Sequence, residues 1–423
     1  GSGTEVDPYQ IETWEHLHNV RQKPDAHFEL NNDLDETTEG YATYVKDGET
    51  LANAGKGWEP IAGFGGTLNG QGNTVTGLVI DRGDEDEVGL FATIDSEGSV
   101  SNWILSEVDV TGNSRVGGLA GVVRGTVDQV TVSGSVSGND SSLGGLAGRL
   151  NGGTITGSLA SVEVSGESTV VGGLVGAIEN SGEIHGSVAT GTVAGGEKIG
   201  GLIGFMEDGN EVTASGATGN VTGINDTGGF VGFIGFNGTN RIRDSYATGS
   251  VSGSSSIGGF VGVSVTGIIA NVYATGSVTG SGDNLGGFAG AASAETGDIQ
   301  TSYWDTETSG FSIAVGNTGD DNFGITGLTT AQMKVKSTFT NAGWDFTGET
   351  ANGSDDVWVI EQGNSVSYPY LQAIDYDEPG TVPAVNSIPG FLGPLYAGGS
   401  GTEVDPYQIE TWEHLHNVRQ KPD

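Results

Sequence analysis

The 423-residue sequence has no cysteine. Disulfide staples and thiolate metal sites are therefore excluded, and packing and backbone hydrogen bonds must hold the fold together. Basic residues are scarce. Against 54 Asp and Glu stand 15 Lys and Arg, for a formal net charge of −39. Such a surface repels nucleic acid and anionic lipid, so neither is an expected partner. No apolar run reaches transmembrane length, and no signal-peptide pattern is found, so direct membrane insertion of this segment is not expected. The chain opens at Gly1 in mid-phrase, so any leader or anchor is expected to have been removed or to lie elsewhere. The 6 His residues show no HExxH or other ligand spacing.

What is abundant is glycine, with 77 residues and only 10 prolines. Eight related phrases carry much of it: VGLFA, VGGLAG, LGGLAG, VGGLVG, IGGLIG, TGGFVG, IGGFVG and LGGFAG. Their first glycines are Gly89, Gly117, Gly144, Gly172, Gly200, Gly228, Gly258 and Gly286, spaced 28, 27, 28, 28, 28, 30 and 28 residues apart. A fixed period of this size signals stacked units. A large apolar residue follows each Gly pair: Leu119, Leu146, Leu174, Leu202, Phe230, Phe260 and Phe288. Three short apolar stretches per period predict three strands per coil. The expected fold is all-β, a right-handed parallel β-helix of nine to ten coils, roughly 45–50 Å long at ~4.8 Å per coil.

Residues 1–57 are expected to cap this β-helix (58–310), with Thr13 as N-cap of a helix reaching Gln22 and Trp14, Leu17 and Val20 facing inward. Residues 311–375 break the period and form the second cap, where Thr329 caps a helix over 330–337. Residues 376–398 carry four Pro and are expected to be an extended connector. The final segment, 399–423, repeats residues 1–25 without a change. This points to a recent or homogenised duplication, or to the way the chain was cut. The plain reading makes 1–398 one unit of a tandem array and 399–423 the start of the next.

Length varies at one place in the coil. From the second Gly of each pair to the next apolar anchor (Val127, Ile155, Ile184, Val212, Ile242, Ile269, Ile299) the counts are 9, 10, 11, 11, 13, 10 and 12, whereas the remainder is constant at 16 or 17. Variable corners on a fixed scaffold are where solenoids place contacts. The longest corner, Gly232–Arg241, supplies the candidate contact residues Phe233, Phe236, Asn237, Thr239 and Arg241.

The GGL(V/A/I)G and S-x-ATG-x-V-x-G phrases resemble the GLUG-motif repeats of bacterial and archaeal surface proteins. DPYQIETWEHLHNVRQKPDAHFELNNDLD resembles the lead-in to such arrays, and SYWDTETSG, LTTAQMK and WVIEQGNSVSYPYL resemble their ending. The resemblance covers roughly residues 1–375. It implies an extracellular β-helix related to filamentous-haemagglutinin-type adhesins, and it implies no catalytic activity. Some members are attached to peptidases, but no peptidase motif occurs in this sequence.

Other features have a plain reading beside the functional one. Asp305 and Glu307, or Asp244 with Arg241 and Arg243, can be drawn as acid/base pairs; surface acids on an acidic rod are the commoner case. Asp84–Glu87 and Asp320-Asp321 are candidates for weakly held Ca²⁺ or other cations, or are solvated loops. No cofactor is expected. Tyr246, Tyr273 and Tyr303 recur in consecutive coils, either as a sugar-binding stripe or as a stack in the wall. Asn139, Asn220, Asn225, Asn237 and Asn352 head N-x-S/T sequons and are candidate N-glycosylation acceptors. The expected function is a structural unit of an extracellular filament whose partners are adjacent copies of itself, joined head to tail through 1–25, 399–423 and the second cap. Adhesion to glycans or neighbouring cells is the alternative, and a carbohydrate-active enzyme is a distant third.

The charge balance points to a halophilic source, where screening shortens the reach of self-repulsion. The unfolding temperature is expected to rise as salt goes from ~0.1 M to ~1 M, over which the screening length falls from ~10 to ~3 Å. A flat response in a thermal melt contradicts the halophilic reading.

Overall fold

In this computed structural model the described residues are 1–167, 170–293, 299–318, 324–361, 367–372 and 374. The connector 376–398, the repeated segment 399–423 and the pair Asp320-Asp321 lie outside them. The chain winds into a parallel β-solenoid of about eight turns, counted by the eight-stranded wall from Phe91–Ile94 to Ala289–Ala292. This is fewer than the nine to ten coils expected, because residues before Val88 form only part of each regular turn.

One turn contains five short strands rather than three: Glu197–Gly200, Ile203–Met206, Glu211–Thr213, Gly216–Ala217 and Val221–Thr222. Gly201-Leu202, which begins the apolar stretch 201–204, lies in no strand. It forms the bend between the first two strands instead. The first glycines of the pairs stand directly over one another, from Gly117↔Gly144 through Gly258↔Gly286. The apolar anchors do the same, from Val127↔Ile155 to Ile269↔Ile299. The side chain after each pair points inward, and Phe230, Phe260 and Phe288 stack with centroids 4.8 and 5.2 Å apart. Stacked identical rungs place like beside like, and burial of these rings drives the turns together.

The paired glycines are not needed for positive φ, since none of them adopts it. They are needed because the neighbouring turn comes too close. A Cβ on Gly201 would lie 2.1 Å from the Gly229 carbonyl oxygen and 3.0 Å from the Ala217 Cβ. Gly173 and Gly229 meet the next turn at the same 2.1 Å. The Ala of each ATG phrase thus faces the Gly pair across the interior, which explains why both phrases recur together.

Positive φ falls elsewhere, and one column of it runs through Asn102, Gln129, Gly157, Gly186, Ala214, Asp244, Asn271 and Thr301, with φ between 45° and 56°. Most of these are not glycine, although Asn and Asp tolerate the region best. Serine steadies the corner that follows. Ser215 Oγ donates to the Thr213 carbonyl (2.8 Å) and accepts the Ser187 N–H of the preceding turn (3.2 Å). Ser158, Ser187 and Ser245 make the same pair of bonds. This buried ladder replaces backbone bonds that the corner interrupts.

At the N-terminal end, Tyr9–Ile11 pairs with His27–Leu30, which pairs with Thr67–Asn69, so these strands continue the wall. The helix Trp14–Asn19 is capped by Thr13 Oγ1, which accepts the His16 N–H at 3.1 Å, and a single 3₁₀ turn carries it to Gln22. Trp14, Leu17 and Val20 are fully buried, as their spacing predicts. At the other end Thr329 and Gln332 form a capping box, but the helix stops at Met333. A second helix, Lys336–Thr340, follows in place of one continuous segment.

Candidate contact corner

The longest corner joins Val231–Ile234 to Arg241–Arg243. It is anchored at its foot by Asn240, which is buried and accepts both the backbone and side-chain N–H of Asn210 (3.1 and 2.9 Å). Asn210 Oδ1 in turn accepts the Gly182 N–H at 2.9 Å. This asparagine ladder is not apparent from motif reading. Its signal was present all the same, since each Asn stands two residues before its apolar anchor.

Beyond that foot the corner is open. Phe236, Asn237, Gly238 and Thr239 are all exposed, and Phe236 is 69% exposed, which is unusual for an aromatic side chain. Asn237 Nδ2 donates to Glu207 Oε1 (2.7 Å), and the Asn237 carbonyl accepts the Asp208 N–H (2.9 Å). Arg241 is exposed, and its guanidinium reaches the Thr239 carbonyl at 3.4 Å. Phe233 lies in the adjoining wall, half-buried against Phe205 at 5.9 Å, and the Lys198 ammonium sits over both rings at 4.9 and 5.2 Å. The five candidate contact residues therefore share one corner, with Phe233 at its base and the other four on its outer side.

The other asparagine sequons differ in setting. Asn139 and Asn220 are exposed, while Asn225 and Asn352 are half-buried. Asn352 Nδ2 donates to the Thr340 and Trp344 carbonyls, and Asn139 Nδ2 donates to the Gly83 carbonyl.

Residues 253–279 match the GLUG motif. The match begins at the end of one wall strand and takes in the Gly258-Gly259 pair, the following corner and the ATG phrase, which amounts to one turn. Over 158 residues (36% of this chain) the sequence is 38% identical to Halomucin of Haloquadratum walsbyi, covering 2% of that protein. Over 141 residues (31% of this chain) it is 38% identical to a Gly-rich membrane protein of Evansella cellulosilytica, covering 15% of it. The chain thus spans a small fraction of the length of both relatives. Among solved structures, a protein named as an immunoglobulin A1 protease from Bacteroides ovatus aligns over 88% of this chain and 94% of its own, at 18% identity and TM-score 0.46. An IgA1 protease aligns over 62% of this chain and 21% of its own, at 17% identity and TM-score 0.42. Similarity at these levels has no bearing on activity.

The carboxylates that suggested acid/base chemistry are engaged in the packing of the last turns of the solenoid. Asp305 is fully buried and caps the helix Thr306–Ser309 by accepting the Glu307 and Thr308 N–H groups. Its other oxygen accepts the Thr330 and Tyr368 hydroxyls, both at 2.7 Å. Glu307 Oε2 accepts the Thr330 N–H, so both carboxylates are taken up in holding Thr330. Arg243 is paired with Glu211, whereas Asp244 accepts from Asn271 (3.2 Å) and Trp358 (3.4 Å). In the acidic run, Glu85 meets Lys56 and Arg82, and Asp86 and Glu87 meet Arg115. Among the described residues no group of three or more His, Asp or Glu is placed to hold a metal ion, and no helix is long and apolar enough to cross a membrane.

The tyrosines form no exposed stripe. Tyr246, Tyr273 and Tyr303 are 3%, 2% and 7% exposed. The segment after Ile325 folds back along the outer wall as a strap and covers them. Tyr246 and Tyr273 stack at 5.7 Å, Trp344 and Trp358 pack on Tyr273, and the Tyr273 hydroxyl donates to the Pro369 carbonyl. These side chains and the strap make a second apolar cluster, separate from the interior core.

Two ionisable groups tie this strap to the wall. Burial pushes the Asp305 carboxyl up, but the bonds from Thr330, Tyr368, Thr308 and Glu307 outweigh it and leave it below its ordinary value. Burial, then the bond to Asp305, pushes the Tyr368 phenol up to about 12. A lowered acid contributes stability above its unfolded value of ~3.9 and loses it as pH falls through the folded value. A raised phenol contributes stability below ~10 and loses it as pH climbs towards 12. Burial raises Asp244, which opposes the acid limb in part. The emission of Trp344 and Trp358 is expected to be constant between those limits and to change beyond each. In Tyr368→Phe the alkaline change should move to higher pH and the acid change should begin at higher pH. An unaltered pH profile in that variant contradicts this account of the strap.

Proposed function

We propose that the chain is one unit of an extracellular surface fibre in which units follow one another head to tail. The observation that carries the reading is the recurrence of residues 1–25 at 399–423. In the first copy these residues are built into the end of the solenoid. Ile11, Trp14, Leu17 and Val20 are buried in the interior core, Trp14 Nε1 donates to the Asp35 carbonyl (2.9 Å), and Arg21 pairs with Glu59 (3.0 Å). The second copy carries the same docking side chains as Ile409, Trp412, Leu415 and Val418. It is therefore suited to begin another solenoid beyond the Pro-rich connector, so that rod and connector alternate. A surface setting is supported by the GLUG match and by relatives named as a mucin and as a membrane protein.

In this reading the fibre unit has no catalytic role and no resident cofactor, and cations of a salty medium screen its acidic loops. Its partners are copies of itself, and nucleic acid is not among them. Exposure of Phe236 and its neighbours favours a second role for the same fibre, in which the corner adheres to glycans or neighbouring cells. Electron microscopy of native material is expected to show rods repeating with a period near one unit. Isolated single rods with no periodicity contradict the proposal.

A further inference from the structure

The five sequons differ in the freedom of their backbone. A transferase must enclose the acceptor Asn together with the hydroxyl residue two positions on, which requires a segment able to leave the wall. Asn220 leads straight into Val221–Thr222, a strand paired on both sides, and its carbonyl accepts the Val193 N–H at 2.9 Å. The sequon of Asn225 ends on Thr227, which is fully buried in the next strand. The Asn352 amide is held by two carbonyls that secure the strap, and the Asn139 amide by Gly83.

Asn237 differs from all four. Asn237, Gly238 and Thr239 lie outside any strand on the longest corner and are exposed at all three positions, whereas each of the others has at least one position that is not exposed. The sequon is tied by one carbonyl bond to Asp208, one side-chain bond to half-buried Glu207 and a long bond, 3.4 Å, from the Arg241 guanidinium to the Thr239 carbonyl. Exposed bonds of this kind are readily exchanged for water.

We propose that Asn237 is the N-glycosylation acceptor of the folded chain, and that Phe236 gives the first sugar an apolar face to rest on. In the transfer, Asn237 Nδ2 forms a bond to the anomeric carbon of a saccharide carried on a lipid phosphate. The bond from that carbon to the phosphate oxygen breaks, the lipid phosphate departs with the electron pair, and the amide proton passes to a base of the transferase. The inference gives Phe236 a partner without requiring a protein to cover it. It rests on the extracellular reading for its biological setting, while the choice of Asn237 rests on the fold alone.

The test treats the purified, folded 423-residue chain with an oligosaccharyltransferase and a lipid-linked saccharide, and maps the glycopeptides. The Asn237 peptide is expected to carry most of the saccharide, at least ten times the occupancy of the Asn225 or Asn352 peptides. Urea-unfolded chain should lose this preference, and Asn237→Gln should leave the folded chain nearly unmodified. Phe236→Ala should keep the modification and lose the rise in melting temperature that it confers. Preferential modification of another sequon in the folded chain, or of none while the unfolded chain is modified, overturns the proposal. Because the assay is independent of fibre formation, its failure leaves the head-to-tail reading to be judged by microscopy.

Discussion

The closeness of one turn to the next at the Gly pairs is the constraint on which the rest of the structure depends. At Gly173, Gly201 and Gly229 there is no room for a methyl group beneath the following carbonyl. That approach sets the bend between the first two strands of each turn, and it brings the Ala of the ATG phrase opposite. With the bend fixed, Leu or Phe at the next position has a single direction open to it, into the core. The stacked phenyl rings and the long anchor ladder follow from repeating the same geometry.

A wall fixed this tightly leaves one place for change. The corner after the Gly pair is fastened at its foot by buried polar side chains, Asn210 and Asn240, and varies freely beyond them. The proposals for adhesion and for glycosylation both fall on that corner for this reason. At the C-terminal end a different solution appears. The wall is apolar on its outside at Tyr246, Tyr273 and Tyr303, and a strap of the same chain covers it, secured by the buried carboxylate of Asp305.

Much of this was legible in the sequence, because periodicity is a direct image of stacking. The parallel solenoid, the inward residues, the anchor column and the Thr13 cap were all readable from spacing and residue type. The five-strand turn was not, because strands as short as Gly216–Ala217 leave no alternation to detect. Nor was the strap. Three tyrosines at equivalent positions look alike whether solvent or another segment covers them, and only the tertiary positions of Phe339, Trp344, Trp358 and Tyr368 distinguish the two. Asp305 was read as an ordinary surface acid, yet it is buried, because the chain turns from strand to helix just after it and its carboxylate caps that helix. The contact corner was legible as a length difference, and its polar foot escaped notice because single Asn residues carry little pattern.

The central claim is that steric closeness, not backbone conformation, demands glycine in the pairs. Urea unfolding of Gly201→Ala beside Gly209→Ala tests it most directly. Gly209 has φ 78° and open space, its nearest heavy atom 3.9 Å from an added Cβ, so alanine there meets only backbone strain. The account predicts a loss of about 3 kcal/mol or more for Gly201→Ala, from overpacking against an immovable carbonyl, and about 1 kcal/mol for Gly209→Ala. Equal losses, or the reverse order, would contradict it.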